Sequence, residues 1–157
     1  MVDIDENADY TWKIILVGNK RVGKTSISNR YMQDIFSDDE KSSEKVTFRS
    51  KKIVIPNTQN VAELHIWDTL GQEKFKALSP IFFRKSVAAL LVYDVTDKDS
   101  FLALKTWHEQ IKDNTSENIV VILIGNKVDL PNKVITNEMG SKYAQENGWL
   151  FMEVSAK

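Results

Sequence analysis

The sequence predicts an α/β fold, a doubly wound and mostly parallel sheet with one antiparallel hairpin strand. Three observations carry that prediction. Residues 14–17, 87–93 and 119–124 are short apolar runs, continuous rather than alternating, as suits strands covered on both faces. Stretches with helical spacing separate most of the strands, so strand and helix alternate. The first strand also runs into Gly18-x-x-x-x-Gly23-Lys24-Thr25 and then a helix-like stretch, a strand–loop–helix unit.

In chain order, residues 1–11 are acidic at the start and lack an apolar core of their own, which predicts a flexible tail. Residues 12–157 form the folded domain. After the strand at 14–17 and a helix at 26–33, residues 34–45 are crowded with Ser, Asp, Glu and Lys and read as a loop. Residues 46–55 and 61–67 read as strands joined by the turn Pro56-Asn57-Thr58-Gln59-Asn60, hence a hairpin. An amphipathic segment follows at 74–83. Leu104, Trp107 and Ile111 give residues 100–112 helical spacing, with Thr96-x-x-Asp99 as a candidate cap. A second helix spans 136–147, capped by Thr136 and stopped by Gly148. A last strand covers 149–154. In such sheets ligands gather at the carboxyl ends of the strands, where the glycine loop, Asp68, Asn126 and Ser155 all fall.

Composition narrows the class. A chain of 157 residues suits one domain with a sizeable core. A net charge of −1 points to neither nucleic acid nor a membrane surface as a partner. There is no cysteine, hence no disulfide framework and no cysteine-based metal site. No apolar run approaches the ~18 residues of a membrane span. A cytoplasmic protein is the simplest reading.

The glycine loop implies phosphate chemistry. Gly18 and Gly23 let consecutive N–H groups turn inward as an anion nest. The helix that follows points its positive end at the same place. Lys24 adds a full charge, and the Thr25 hydroxyl can hold Mg²⁺. The plainer alternative is a glycine turn with a surface lysine. Asp68 ends a strand, where a carboxylate can hold Mg²⁺ through a water. Gly71 lets a backbone N–H approach a terminal phosphate, and Gln72 is placed to orient an attacking water. Asn126-Lys127-Val128-Asp129 follows another strand. A carboxylate at Asp129 can accept from both the ring N–H and the amino group of guanine, a pair that adenine lacks. The Lys127 stem can lie across the purine, and Asn126 can tie loops together. Ser155-Ala156-Lys157 can offer backbone N–H groups to the guanine carbonyl. An ATP-dependent small-molecule kinase would share the glycine loop, but not the guanine motif.

Four motifs in this order, each after a strand, resemble those of the small GTPases of the Ras superfamily, most closely the Rab family. The likeness covers about residues 12–157, and includes Trp67-Asp68-Thr69-Leu70-Gly71-Gln72-Glu73 and Phe151-Met152-Glu153-Val154-Ser155-Ala156-Lys157. It implies the small G protein version of the P-loop fold, with GTP or GDP and Mg²⁺ as ligands. It implies slow hydrolysis of GTP and a role in vesicle trafficking. The implied nucleotide contacts are Gly18, Lys20, Arg21, Val22, Gly23, Lys24, Thr25, Ser26, Phe36, Ser43, Gly71, Asn126, Lys127, Asp129, Ser155, Ala156 and Lys157. Lys24 and Gln72 would be the catalytic pair. Thr25, Ser43 and Asp68, the last through water, would serve the metal. Residues 34–46 correspond to the first switch, and residues 69–83 to the second. Phe48, Trp67 and Phe82 match the aromatic triad that Rab proteins present to effectors, although ordinary packing accounts for Phe48 and Phe82 equally well. An exchange factor and a GTPase-activating protein are implied as further partners.

The departures from that pattern concentrate on the switch. Ser43-Glu44-Lys45 stands where the family has Thr-Ile-Gly. Lys20 and Arg21 replace small residues, with glycine usual at the second position, so a positive φ at Arg21 would strain the loop. Leu70 replaces alanine, and Lys85 replaces glycine. These changes raise a second reading, a nucleotide-binding scaffold with little hydrolysis. The family continues beyond Ser-Ala-Lys into a covering helix and a prenylated tail. The expectation is a form lacking that helix, with apolar surface exposed, and membrane-associated only in a longer, prenylated form.

Overall fold

Apolar runs bounded by turn residues set the sheet. The computed structural model describes residues 7–38, 45–69 and 80–157. Its strands are β1 (Tyr10–Val17), β2 (Thr47–Val54), β3 (Val61–Asp68), β4 (Ser86–Asp94), β5 (Val120–Asn126) and β6 (Leu150–Glu153). They form one six-stranded sheet in the order β2-β3-β1-β4-β5-β6. Only the β2–β3 hairpin is antiparallel. The helices are α1 (Lys24–Gln33), α2 (Pro80–Phe83), α3 (Lys98–Leu102), α4 (Leu104–Asn114) and α5 (Asn137–Glu146).

The strand order reverses at β1, so β1 leads to β3 on one side and β4 on the other. A crevice forms there at the carboxyl ends of the strands, where such sheets hold ligands. Side chains that alternate along each strand go to opposite layers. Ile15, Val17, Leu91, Tyr93 and Leu123 pack with Trp107 and Ile111 of α4 and Ala144 of α5. Leu16, Leu64 and Ile66 face the other way, toward Ile27 and Met32 of α1. Helices thus cover both faces, the doubly wound arrangement that the apolar runs predict.

The α1 layer is incomplete. Ile122 and Ile124 of β5 group with Ile27 of α1, and they lie in register with Leu150 and Met152 of β6. That register puts Leu150 and Met152 on the α1 face, yet they are 61% and 50% exposed. No described element covers them. Among the described residues no helix is long and apolar enough to cross a membrane.

Two local expectations need correction. The helix predicted at 100–112 is two helices with Ala103 between them. Its cap is Asp97, whose side chain accepts from the Asp99 N–H at 2.9 Å. Thr96 is engaged elsewhere, donating its N–H and its hydroxyl to Asp94 Oδ1. Ser100 anchors the start of α3. Its hydroxyl donates to the Asp97 carbonyl at 2.8 Å and accepts from the Asp94 N–H at 3.0 Å, which fixes α3 to the end of β4. The other cap is as predicted: Thr136 Oγ1 accepts from the Met139 N–H at 3.2 Å, and Gly148 turns the chain at φ 70°. Of the amphipathic segment at 74–83, only residues 80–83 are described, and they are helical. His108 packs edge-on to Trp149 at 4.6 Å. Burial lowers its pKa, Lys112 reinforces the shift and Glu109 opposes it.

Candidate functional site

The glycine loop has the geometry its sequence demands. Gly18 and Gly23 have φ 145° and 97°, values that L side chains rarely adopt. Space forbids a side chain as well. A Cβ on Gly18 would lie 2.2 Å from the Val92 carbonyl oxygen, and one on Gly23 would lie 2.2 Å from Asn126 Nδ2. α1 begins directly at Lys24. Its N-cap, Gly23, has no side chain to cap it, and no acidic residue in its first turn offsets its positive end. Lys24 is buried, and its ammonium donates to the Gly18 and Asn19 carbonyls at 2.9 and 2.8 Å. Burial pushes its pKa down to about 8, with Asp68 pulling the other way. An anion in the loop would therefore find a cation poorly compensated by solvent.

Arg21, in the middle of the loop, has φ 64°. A non-glycine residue pays about 1–2 kcal/mol for that region. Arg21→Gly is therefore expected to stabilise the fold by about 1 kcal/mol, a rise of about 2–4 °C in Tm by calorimetry. Lys85, the other residue that stands in place of a family glycine, also has a positive φ, 62°.

Thr25 and Asp68 meet at the end of β3. The Thr25 hydroxyl donates to Asp68 Oδ2 at 2.5 Å, and Asp68 is buried. A hydroxyl and a carboxylate side by side at the loop are the hard oxygen donors that suit Mg²⁺, so these residues fit that ion. Ser43, Gly71 and Gln72, which complete the expected constellation, lie outside the described residues.

The Asn126–Asp129 loop and the Ser155–Lys157 loop are joined to the phosphate loop directly. Asn126 Nδ2 donates to the Val22 carbonyl at 2.9 Å, while Asn126 Oδ1 accepts from the Ala156 N–H at 3.3 Å. One side chain thus spans all three loops. Lys127 has φ 70°. Its ammonium reaches the Arg21 carbonyl at 2.7 Å and Asp94 Oδ2 at 2.9 Å. Asp129 accepts from the Ser155 hydroxyl at 2.7 Å, which orients its carboxylate. Phe36 is half-buried, with the Lys157 ammonium 5.9 Å from its ring centre.

The family model described as Ras family matches residues 13–157. The chain belongs to the Ras family. Within it, the chain is similar to the Ras-related protein RABA4d of Arabidopsis thaliana, with 38% identity over 98% of this chain and 69% of that protein. It is similar to Ras-related protein Rab-18 of Caenorhabditis elegans at 38% identity over 100% of this chain and 77% of that protein. Ras-related protein Rab11A of Lotus japonicus is 37% identical over 98% of this chain and 68% of its own length. The protein is a Rab-like small GTPase, a guanine-nucleotide-binding enzyme that hydrolyses GTP. As a Ras-family protein it works with regulators and effectors.

In this Ras-family protein the aromatic triad is contiguous. Ring centres of Phe48 and Trp67 are 5.3 Å apart, and those of Trp67 and Phe82 are 6.4 Å apart. Phe48 is 48% exposed. Lys13 braces the group, with its ammonium 4.6 Å from the Trp67 ring centre and donating to the Arg84 carbonyl at 3.0 Å. Sequence reasoning missed Lys13, Asp94 and Arg30. Arg30 Nε donates to the Ala156 carbonyl at 2.9 Å, and its Nη1 reaches Asp34 Oδ1 at 2.6 Å. Arg30 thereby links the loop after β6 to the entry of the first switch. An arginine in the last turn of the helix was the one available signal, and it reads equally as a surface charge.

Proposed function

We propose that this GTPase holds GTP or GDP with the phosphates in the loop from Gly18 to Ser26, the guanine between Lys127 and Phe36, and Asp129 reading its ring N–H and amino group. The observation that carries the reading is Asn126, which bonds to both Val22 and Ala156 and so fixes the phosphate and guanine loops as one pocket. Ser155, Ala156 and Lys157 offer N–H groups to the guanine carbonyl. Thr25 and Asp68, the latter through a water, would hold Mg²⁺, with Ser43 joining when the first switch closes. Mg²⁺, when bound, neutralises phosphate charge. Lys24 and the loop N–H groups stabilise the charge that develops on the phosphoryl oxygens, and Gln72 orients the water that attacks the terminal phosphate, giving GDP and phosphate.

Turnover is slow until an activating protein binds. The strained Arg21 and the neighbouring Lys20 occupy the place from which a partner's catalytic group would approach. An exchange factor reloads GTP, and effectors read Phe48, Trp67 and Phe82. The role is Rab-like, in vesicle traffic from the cytoplasm, with membrane attachment only in a longer, prenylated form. Single-turnover hydrolysis tests the chemistry. Protein loaded with GTP and given Mg²⁺ is expected to convert bound GTP to GDP, and Gln72→Leu to slow that conversion about 10²-fold or more. Retained GTP that never converts would overturn the hydrolytic reading and leave a nucleotide-dependent scaffold.

A further inference from the structure

Among the described residues, three bonds from outside reach residues 19–22 of the phosphate loop. Two come from the loop after β5: Asn126 to the Val22 carbonyl and Lys127 to the Arg21 carbonyl. The third comes from the opposite layer. The Trp107 indole N–H of α4 donates to Asn19 Oδ1 at 2.8 Å, 88 residues apart in sequence. Both partners are buried, Trp107 to 6% and Asn19 to 9% exposure. The same Asn19 uses its carbonyl to accept from Lys24. Asn19 therefore stands between the helix and the phosphate-binding lysine, with its side chain fixed by one and its main chain by the other.

A core tryptophan would be content with any acceptor for its N–H. Here the acceptor is in a strained loop. A backbone with Arg21 at φ 64° persists only where its surroundings over-determine it. The bonds to the Arg21 and Val22 carbonyls constrain the far half of the loop. Trp107 alone among the three constrains the near half, where Lys24 is held.

We propose that Trp107 is a positioning residue for the phosphate loop, acting through Asn19 to hold Lys24 and the loop N–H groups in register with the β-phosphate. α4 is thereby a structural part of the nucleotide site, although it carries none of the proposed nucleotide contacts. The proposal rests on the phosphate-loop reading above.

The test uses the full chain loaded with a fluorescent GDP analogue chased by excess GDP. Trp107→Phe keeps the apolar packing and removes the N–H. Asn19→Leu keeps the size and removes the acceptor, and Asn19→Asp keeps an acceptor in place. Trp107→Phe and Asn19→Leu are each expected to speed GDP release about tenfold, with the double variant no faster than either. Asn19→Asp should stay within about threefold of the parent. Affinity for GMP, which lacks the β-phosphate, should change less than about twofold in every variant. If Trp107→Phe fails to fold, Asn19→Leu and Asn19→Asp still decide the matter. Unchanged GDP release, additive effects in the double variant, or equal losses for GDP and GMP would each overturn the proposal while leaving the nucleotide site intact. A parent chain that binds no GDP would overturn both.

Discussion

Asp129→Asn should trade guanine for xanthine. On the proposed reading the carboxylate would accept from two adjacent donors of guanine; the Ser155 hydroxyl donates to it at 2.7 Å. An amide keeps one acceptor and presents an NH₂ where the second acceptor was. That NH₂ opposes the amino group of guanine but matches the oxo group of xanthine. Sites that bond a polar substrate edge reject the mismatched one strongly. Affinity for GDP is expected to fall about 10²–10³-fold, while affinity for XDP rises to within about tenfold of the original GDP value. Competition titrations of both nucleotides check this. Loss of both together would mean that Asp129 only shapes its loop.

Gly23→Ala is expected to disconnect the pocket. The added Cβ would lie 2.2 Å from Asn126 Nδ2, at a φ of 97°. Relief requires Asn126 to move, and Asn126 also holds Val22 and Ala156. Backbone strain costs about 1–3 kcal/mol, and each broken buried bond adds about 1 kcal/mol. A loss of about 3–4 kcal/mol is expected, or roughly a 10 °C fall in Tm. GDP affinity should fall about 100-fold or more, because the loop and the guanine clamp no longer share a brace. Calorimetry and nucleotide titration read the two effects separately. A fall in Tm with affinity unchanged would show that the brace serves stability alone.

Much of this was legible in the chain. Continuous Val/Ile/Leu runs, the glycine spacing and the loop after each strand gave the sheet and the three loops that meet at its carboxyl edge, because each is a local pattern. Arg21 and Lys85 were legible as replacements at positions that favour glycine, and both have positive φ. What failed to show was of two kinds. The division between α3 and α4 at Ala103 has no sequence signal, because helical spacing continues across the break. The bonds of Trp107 to Asn19 and of Arg30 to Ala156 join residues 88 and 126 positions apart. Periodicity carries no information about which distant groups meet. Ser43, Gly71 and Gln72 remain expectations from the motif, since they lie outside the described residues.

The bridging by Asn126 and Arg30 also fixes when the protein can first hold its ligand during synthesis. The phosphate loop lies within residues 18–25, but the loop proposed to close the guanine side follows β6, the last strand in the chain and an edge of the sheet. A nascent chain that has made β1 and α1 has an anion nest without its clamp. On the proposed reading, a nucleotide would meet a complete pocket only in a domain assembled to its far edge.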